Sequence, residues 1–429
     1  MHASGKVPVI SISRNAILAV VLGNMLEFYD FTVYAFFAVM IGRQFFPAQD
    51  PLVSLLLSVG AFGIGFVTRP LGGFLIGAYA DRSGRKPAML LTIGLMGTGM
   101  LLLALTPSYA TIGVAAPLLV VLARLLQGFA LGGEVGPATA FLIETCPPAQ
   151  RGYYASWQLA SQGVAPLIAG TVGVTLSAVL TPEALEAWGW RIPFLLGVAI
   201  IPIGLYIRRY IPEIFDQNAT TIHSSIGRVL LSLLANHLRP VILALLVIMA
   251  GTISTYILSY MTTYAITTLR MPDRVSIAAT LVVGLCTLIF SLVGGLLADR
   301  IGRKPIMIIP RIAVVVLAYP AFLMTAEAPT SATLLLMTAL LAMLNAISGA
   351  VSLVMIPESL PKSVRSTGVS VVYGVSVTVF GGTTQLAITG LIGATGNPLA
   401  PAWYMIGSSL IGAIAMLMMT ETQDRVLAK

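Results

Sequence analysis

Twelve apolar stretches of bilayer-spanning length, separated by short polar breaks, account for most of this 429-residue chain. They fall at roughly 15–41, 52–80, 88–106, 115–142, 153–179, 192–210, 239–268, 275–298, 305–325, 330–356, 363–393 and 401–420. A spanning helix needs about 20 residues. Only the third, the sixth and the last of these stretches come close to that lower limit. The pattern therefore predicts an all-α integral membrane protein with twelve transmembrane helices, arranged as two six-helix bundles. Residues 1–210 would form the first bundle and 239–429 the second, with 211–238 as the linker between them. In the linker Ile226, Val229, Leu230, Leu233 and Leu234 share a helical face, so part of it is expected to lie as a short helix on the membrane surface; a mobile linker is the alternative.

The two halves repeat one polar clasp. Gly77–Pro87 reads GAYADRSGRKP and Gly294–Pro305 reads GGLLADRIGRKP, with Asp81 and Asp299 218 positions apart (299 − 81). Such repetition is the mark of a tandem duplication. Gly84 and Gly302 suit a tight turn with positive φ, and Pro87 and Pro305 suit the first turn of the helix that follows. A second repeat places Glu144, Pro147 and Arg151 in register with Glu358, Pro361 and Arg365. The spacing predicts a network of Asp81, Arg85, Glu144 and Arg151, with Asp299, Arg303, Glu358 and Arg365 as its twin. Ion pairs there would form when the halves close on one side and break when they open. Solvated charge at a membrane rim is the plainer alternative for any single pair.

Composition agrees with the pattern: 57% of residues are hydrophobic and 9% charged, against about 25% charged in soluble domains. The net charge of +8 is explained by its placement rather than by nucleic acid. With the N-terminus inside, seventeen Lys and Arg fall on the cytoplasmic side, four on the other, and Arg69, Arg124 and Arg311 within spans, which completes the 24. That bias orients both termini towards the cytoplasm of an inner membrane. The first stretch carries Glu27 and Asp30 and no small-residue cleavage site precedes it, so it reads as a retained helix. Cys146 and Cys286 sit at a helix end and inside a span, which points to neither a disulfide nor a metal cluster. Glycines at 128, 132 and 136 and at 73 and 77 mark close helix approach. Gly60, Gly63 and Gly65 read as packing, because no strand precedes them to make a nucleotide loop.

Ionisable groups at membrane depth cost roughly 2.5 to 3.5 kcal/mol each on insertion scales, which makes Glu27, Asp30, Arg124 and Glu134 functional candidates. Asn24, Glu27, Asp30, Phe31 and Tyr34 share one arc of the first helix; Arg124, Gln127, Leu131, Glu134 and Ala138 share one of the fourth. Counting about 1.5 Å per residue puts Asp30 near the height of Arg124 and Glu134 about 15 Å deeper. Arg124 is therefore expected to face Asp30, either as a structural ion pair or as the receiver of a substrate carboxylate, for which a planar guanidinium is well suited. His2, His223 and His237 all lie outside the spans, so any proton carrier must be a carboxylate: Glu27, Asp30 or Glu134. Further stripes, namely Gln158, Ser161 and Gln162; Tyr256, Tyr260 and Tyr264; Asn345, Ser348 and Ser352; and Tyr373, Ser376, Phe380 and Thr384, together predict a hydrated central cavity. No nucleophile, metal set or cofactor loop emerges, so no enzyme and no cofactor are expected.

The duplicated DRxGRK clasp with twelve spans resembles the major facilitator superfamily over nearly the whole chain. More specifically, GNMLEFYDFTVYAFF from Gly23, RPLGGFLIGAYADRSGRK from Arg69, RLLQGFALGGEVGPATAFLIE from Arg124 and YYASWQLASQ from Tyr153 resemble the metabolite:proton symporters, closest to the citrate and tricarballylate proton symporters. The resemblance implies that Asn24, Glu27, Asp30, Arg124, Gln127, Glu134, Gln158 and Gln162 line the transport and coupling path, that Asp81, Arg85 and their partners gate the inner side, and that the protein works as a monomer. The expected activity is import of a di- or tricarboxylate by proton symport with alternating access. Its partners are the anion, protons and lipid. Tyr34, Tyr256, Tyr260, Asn345 and Tyr373 join the expected substrate contacts. Symport of another metabolite such as 2-oxoglutarate, shikimate or a betaine is the nearest alternative. A drug/proton antiporter is opposed by Arg124, and a nutrient sensor by the lack of a signalling domain. Arg311, after Pro310 in the ninth helix, has no counterpart in the family pattern.

Overall fold

The structure is a computed structural model that describes residues 24–25, 28–83, 85–132, 146–209 and 237–422. For residues 77–78, 80–83, 85–90, 148, 200, 203–209, 362–364 and 366–367 only the backbone is described.

Twelve helical segments, in chain order, make up the described chain. They are α1 (28–36, continued by Ala38–Phe45), α2 (Pro51–Ile64 and Arg69–Ser83), α3 (Arg85–Leu105), α4 (Ala115–Leu131), α5 (Arg151–Val179) and α6 (Arg191–Arg209), then α7 (Leu238–Ser259 and Met261–Thr267), α8 (Asp273–Ile301), α9 (Arg303–Glu327), α10 (Ser331–Ser359), α11 (Lys362–Ser376, a π turn at Val377–Gly381, and Gly382–Thr395) and α12 (Ala400–Met418). Among the described residues eight helices have the length and apolarity to cross a membrane, and α3 and α4 add shorter apolar stretches. The predicted linker helix lies outside the described residues, as do the ends of the first and fourth predicted spans. The second clasp forms as its sequence predicts. Gly302 turns the chain at φ 125°, ψ 155°, a region open in practice only to glycine, and Pro305 falls in the first turn of α9.

Burial is inverted relative to a soluble fold. Val67, Leu71, Phe74, Leu118, Val179, Ile309, Val316, Leu336 and Leu417 are exposed, as befits a surface whose solvent is lipid. Asp30, Arg124, Gln127, Ser161, Arg311 and Gln385 are fully enclosed. The core of the first half is aromatic, with Tyr29, Phe31, Tyr34, Phe36, Phe37, Phe62, Phe66 and Trp190, whereas Ile, Leu, Val and Met dominate the second half.

Where lipid gives no hydrophobic drive between helices, close backbone approach does the packing. A Cβ on Gly128 would overlap the Gly65 carbonyl, and one on Gly132 would overlap Arg69 and Gly73, so α2 and α4 meet backbone to backbone. Between the halves α5 and α8 run antiparallel along their length. Gly152 meets Gly295, Gly163 meets Gly284, and Gly173 meets Phe36 and Ile277. On the opposite flank α2 meets α11 through Gly63 against Gly382 and Leu52 against Gly393. Gly63 and Gly65 are thus packing residues, while Gly60 borders open space.

Candidate functional site

The first half holds a sealed polar cluster. An Arg124 Nη1–H lies 2.8 Å from Asp30 Oδ2 and another reaches Gln127 Oε1 at 2.7 Å, while Gln127 Nε2 donates to Asp30 Oδ1 at 2.7 Å. The side chains of Arg124 and Asp30 are both 0% exposed. The guanidinium faces with no hydrogen-bond partner lie against rings: the Cζ is 4.5 Å from the centre of Phe31, 4.7 Å from Tyr34 and 5.4 Å from Phe62. A buried charge is tolerated when paired and hydrogen-bonded, and this pair meets that condition through one helical step, because Arg124 and Gln127 stand one turn apart on α4. The polar arc of α1 is held as well. Asn24 Nδ2 donates to the Gln158 carbonyl (2.8 Å) and to Ser161 Oγ (2.7 Å) on α5, and Tyr34 O–H donates to the Ser58 carbonyl at 3.1 Å.

A cleft opens between the halves. It encloses about 560 Å³ of non-atom space, open solvent included, and its wall includes Gln162 from α5, Gly251, Thr252, Thr255 and Tyr256 from α7, Asn345 from α10, and Tyr373 from α11. Asn345 Nδ2 donates to Thr255 Oγ1 at 3.0 Å and leaves its own Oδ1 unpaired. Gln162 Nε2 is unpaired too, so the wall offers both a donor and an acceptor to a guest. Between cleft and cluster stands an aromatic wall: Tyr256 sits edge-on to Phe62 (6.0 Å) and Phe66 (5.6 Å), and both of those meet Phe31. The π turn of α11 begins at the cleft residue Val377; such turns re-aim a helix near functional sites.

Comparison with known proteins places these features. The model of the sugar (and other) transporter family matches residues 16–215 and 207–429. The chain belongs to that family. Within it, the citrate-proton symporter of Klebsiella pneumoniae is 38% identical over 97% of this chain and 95% of its own length, and the proline/betaine transporter of Salmonella typhimurium is 32% identical over 96% of this chain and 85% of its own. The crystal structure of a D-xylose-proton symporter superposes with a TM-score of 0.76 at 17% identity, covering 96% of this chain and 98% of that one. The fold is that of the major facilitator superfamily.

In this transporter the clasp of the second half is tied to the first. Gly152 and Tyr153, at the N-terminus of α5, donate backbone N–H groups to Asp299 Oδ1 and Oδ2 of α8, each at 2.8 Å. The carboxylate therefore caps a helix of the other half, where orphan donors and the helix dipole favour an anion. Arg303 Nη1 holds the same carboxylate at 2.8 Å and its Nε lies 3.5 Å from Glu358; Arg151 of the first half reaches Glu358 at 3.8 Å. Thr422 Oγ1 donates to Glu358 as well, at 2.6 Å.

The expected residues thus separate into three places. Gln162, Tyr256, Asn345 and Tyr373 stand in the cleft wall. Asn24, Asp30, Tyr34, Arg124, Gln127 and Gln158 are packed inside the first half. Tyr260 is buried in the second half, accepting from Thr389 at 2.8 Å. Arg365 Nε and Nη2 donate to the carbonyls of Pro357 (2.9 Å) and Leu360 (3.3 Å), tying the α10–α11 turn. Glu27, Glu134 and Glu144 and the side chains of Asp81 and Arg85 lie outside the described residues. Thr252 and Thr255 were not anticipated, although they share a face of α7 with Tyr256 and Ser259 and so carried a weak signal.

Proposed function

We propose that this chain is a secondary transporter that imports a tricarboxylate such as citrate together with protons. The observation that carries the reading is the Arg124–Asp30–Gln127 cluster, a guanidinium held by a carboxylate that can be protonated. Protonation of Asp30 removes the charge that fixes Arg124 and leaves the guanidinium to take a substrate carboxylate. Glu27 and Glu134 are the further candidates for coupling. The likeness to a citrate-proton symporter at 38% identity favours the same substrate class. Moving three negative charges inward against an inside-negative 100 mV costs roughly 7 kcal/mol at about 2.3 kcal/mol per charge, so coupled protons are required to offset it.

In this reading the bundle of residues 1–210 rocks against that of 239–429 around the cleft, with 211–238 as the connection. The protein sits in the inner membrane as a monomer with both termini cytoplasmic, and the clasp face looks inward. Asn24, Tyr34, Gln127, Gln158, Gln162, Tyr256, Tyr260, Asn345 and Tyr373 supply polar contacts along the path. Asp81, Arg85, Glu144, Arg151, Asp299, Arg303, Glu358 and Arg365 form the inner gate. The Asp299 cap on α5 and the Arg151–Glu358 pair cross between halves, and opening the inner side must break both.

A second reading, symport of a betaine, rests on Tyr256 and Tyr373 in the cleft wall, since aromatic faces hold quaternary ammonium groups. Uptake of labelled citrate into proteoliposomes under an imposed inward proton gradient separates the two. The tricarboxylate reading expects accumulation that tricarballylate blocks and betaine does not. Robust uptake of betaine with none of citrate would overturn it.

A further inference from the structure

The second half contains a buried arginine with no carboxylate. Arg311, on α9 directly after Pro310, is 0% exposed. Its Nη1 donates to Ser254 Oγ at 3.1 Å and lies 3.5 Å from the Ala250 carbonyl; Nε and Nη2 have no partner. Among the described residues no ion pair and no ring face meets this guanidinium. Ser254 accepts from Nη1 and passes its own hydroxyl proton to the Ala250 carbonyl at 2.9 Å, but it carries no negative charge to compensate the guanidinium. A guanidinium stays protonated in proteins, and an unpaired charge at this depth is costly.

Where the orphan group points is set by a glycine. A Cβ placed on Gly251 would meet one atom within 4 Å, Arg311 Nη2 at 3.8 Å. Gly251 itself is part of the cleft wall, one residue from Thr252 and one turn from Thr255. The absent side chain thus leaves the unpartnered Nη2 directly behind the cleft wall at Gly251, with Arg311 itself enclosed and not part of that wall. Asn345 Oδ1 and Gln162 Nε2, which also lack hydrogen-bond partners, border the same cleft.

We propose that Arg311 is a second carboxylate-binding residue, reached from the cleft past Gly251, which selects polycarboxylates over anions with fewer carboxylates. This rests on the symporter reading above and deepens it: one carboxylate arm goes to Arg124 in the first half and another to Arg311 in the second. A substrate gripping one arginine in each half draws the halves together, and a molecule with one carboxylate cannot do so. The pairing partner of Arg311 is then the substrate itself.

The test is equilibrium binding to purified protein in detergent, by calorimetry, with citrate, tricarballylate and the monocarboxylate butyrate as the probes. A charge-assisted bidentate contact is worth about 1.5–3 kcal/mol, so Arg311→Gln is expected to weaken tricarballylate roughly 10- to 100-fold while butyrate, with a single carboxylate for Arg124, weakens much less. Arg311→Lys should restore part of the loss. Gly251→Val keeps the charge and places a side chain between Arg311 and the cleft; it too should reduce the preference for tricarballylate over butyrate. Equal weakening of both ligands in Arg311→Gln, or unchanged affinity, would overturn the assignment. If Arg311→Gln does not fold, Gly251→Val decides: a preserved preference sinks the proposal. Wild-type protein that binds neither tricarboxylate would instead sink the proposed function.

Discussion

Arg124 and Arg311 are both long, charged and wholly enclosed in membrane-spanning helices, yet their surroundings are opposite. Arg124 has Asp30 at 2.8 Å, Gln127 as a bridge and three aromatic faces. Arg311 has a serine hydroxyl, a distant carbonyl and a gap at Gly251. The first is a closed circuit that can be opened by one proton on Asp30. The second has no carboxylate among the described residues, and its Nη2 lies behind the cleft-wall residue Gly251. Burial alone therefore does not define a site residue in this fold; what matters is whether the compensating charge is part of the chain.

Several variants sharpen or break this contrast. The largest effect belongs to Asp30→Ala, which leaves Arg124 uncompensated; removing one member of a buried pair costs about 3–5 kcal/mol, and chemical unfolding in detergent should report a loss of that order. Adding Arg124→Gln should recover part of it, because the stranded charge is gone. Arg311→Met is expected to do the reverse of Asp30→Ala. With no carboxylate to strand, an apolar replacement should raise stability by about 1–3 kcal/mol while binding of the tricarboxylate declines. A destabilised Arg311→Met protein would mean that Arg311 is structural after all.

The gate variants come next. Asp299→Ala removes the acceptor of two backbone N–H groups and the partner of Arg303, worth about 2 kcal/mol together. A cysteine introduced at the cleft residue Leu159 should then react with a water-soluble thiol reagent roughly 20- to 30-fold faster, as the inner side opens more often. An unchanged labelling rate would remove Asp299 from the gate. Arg151→Gln breaks a looser contact of 3.8 Å in a buried pair and should change the same rate less, since Glu358 keeps Arg303 at 3.5 Å and the Thr422 hydroxyl at 2.6 Å.

The fold was legible because the bilayer enforces it. Apolar runs must be helices when no water can satisfy the backbone, and the duplicated clasp exposed the internal repeat. The Gly128 and Gly132 spacing correctly marked where α4 meets α2, and counting helical rise brought Asp30 level with Arg124. Contacts between the halves were less legible. That Asp299 caps α5 depends on which helix end swings beside α8, and nothing local to GGLLADRIGRKP records it. Arg365 matched Arg151 in spacing, but its ties to the Pro357 and Leu360 carbonyls were not legible from that spacing. Arg311 stood out in the sequence, but its lack of a carboxylate is a property of three packed helices. The cleft likewise takes Phe28, Leu159 and Thr252 from three separate helices, residues that look like ordinary helix surface one at a time.

The account's central claim is that tricarboxylate movement and proton movement are one event. Its most direct test is the external pH of a lightly buffered proteoliposome suspension when citrate is added at a pH where it is fully ionised, without an imposed gradient. The account predicts immediate alkalinisation that depends on the protein and is abolished in Asp30→Asn. Citrate entry with no proton uptake, or proton uptake unchanged in Asp30→Asn, would contradict it.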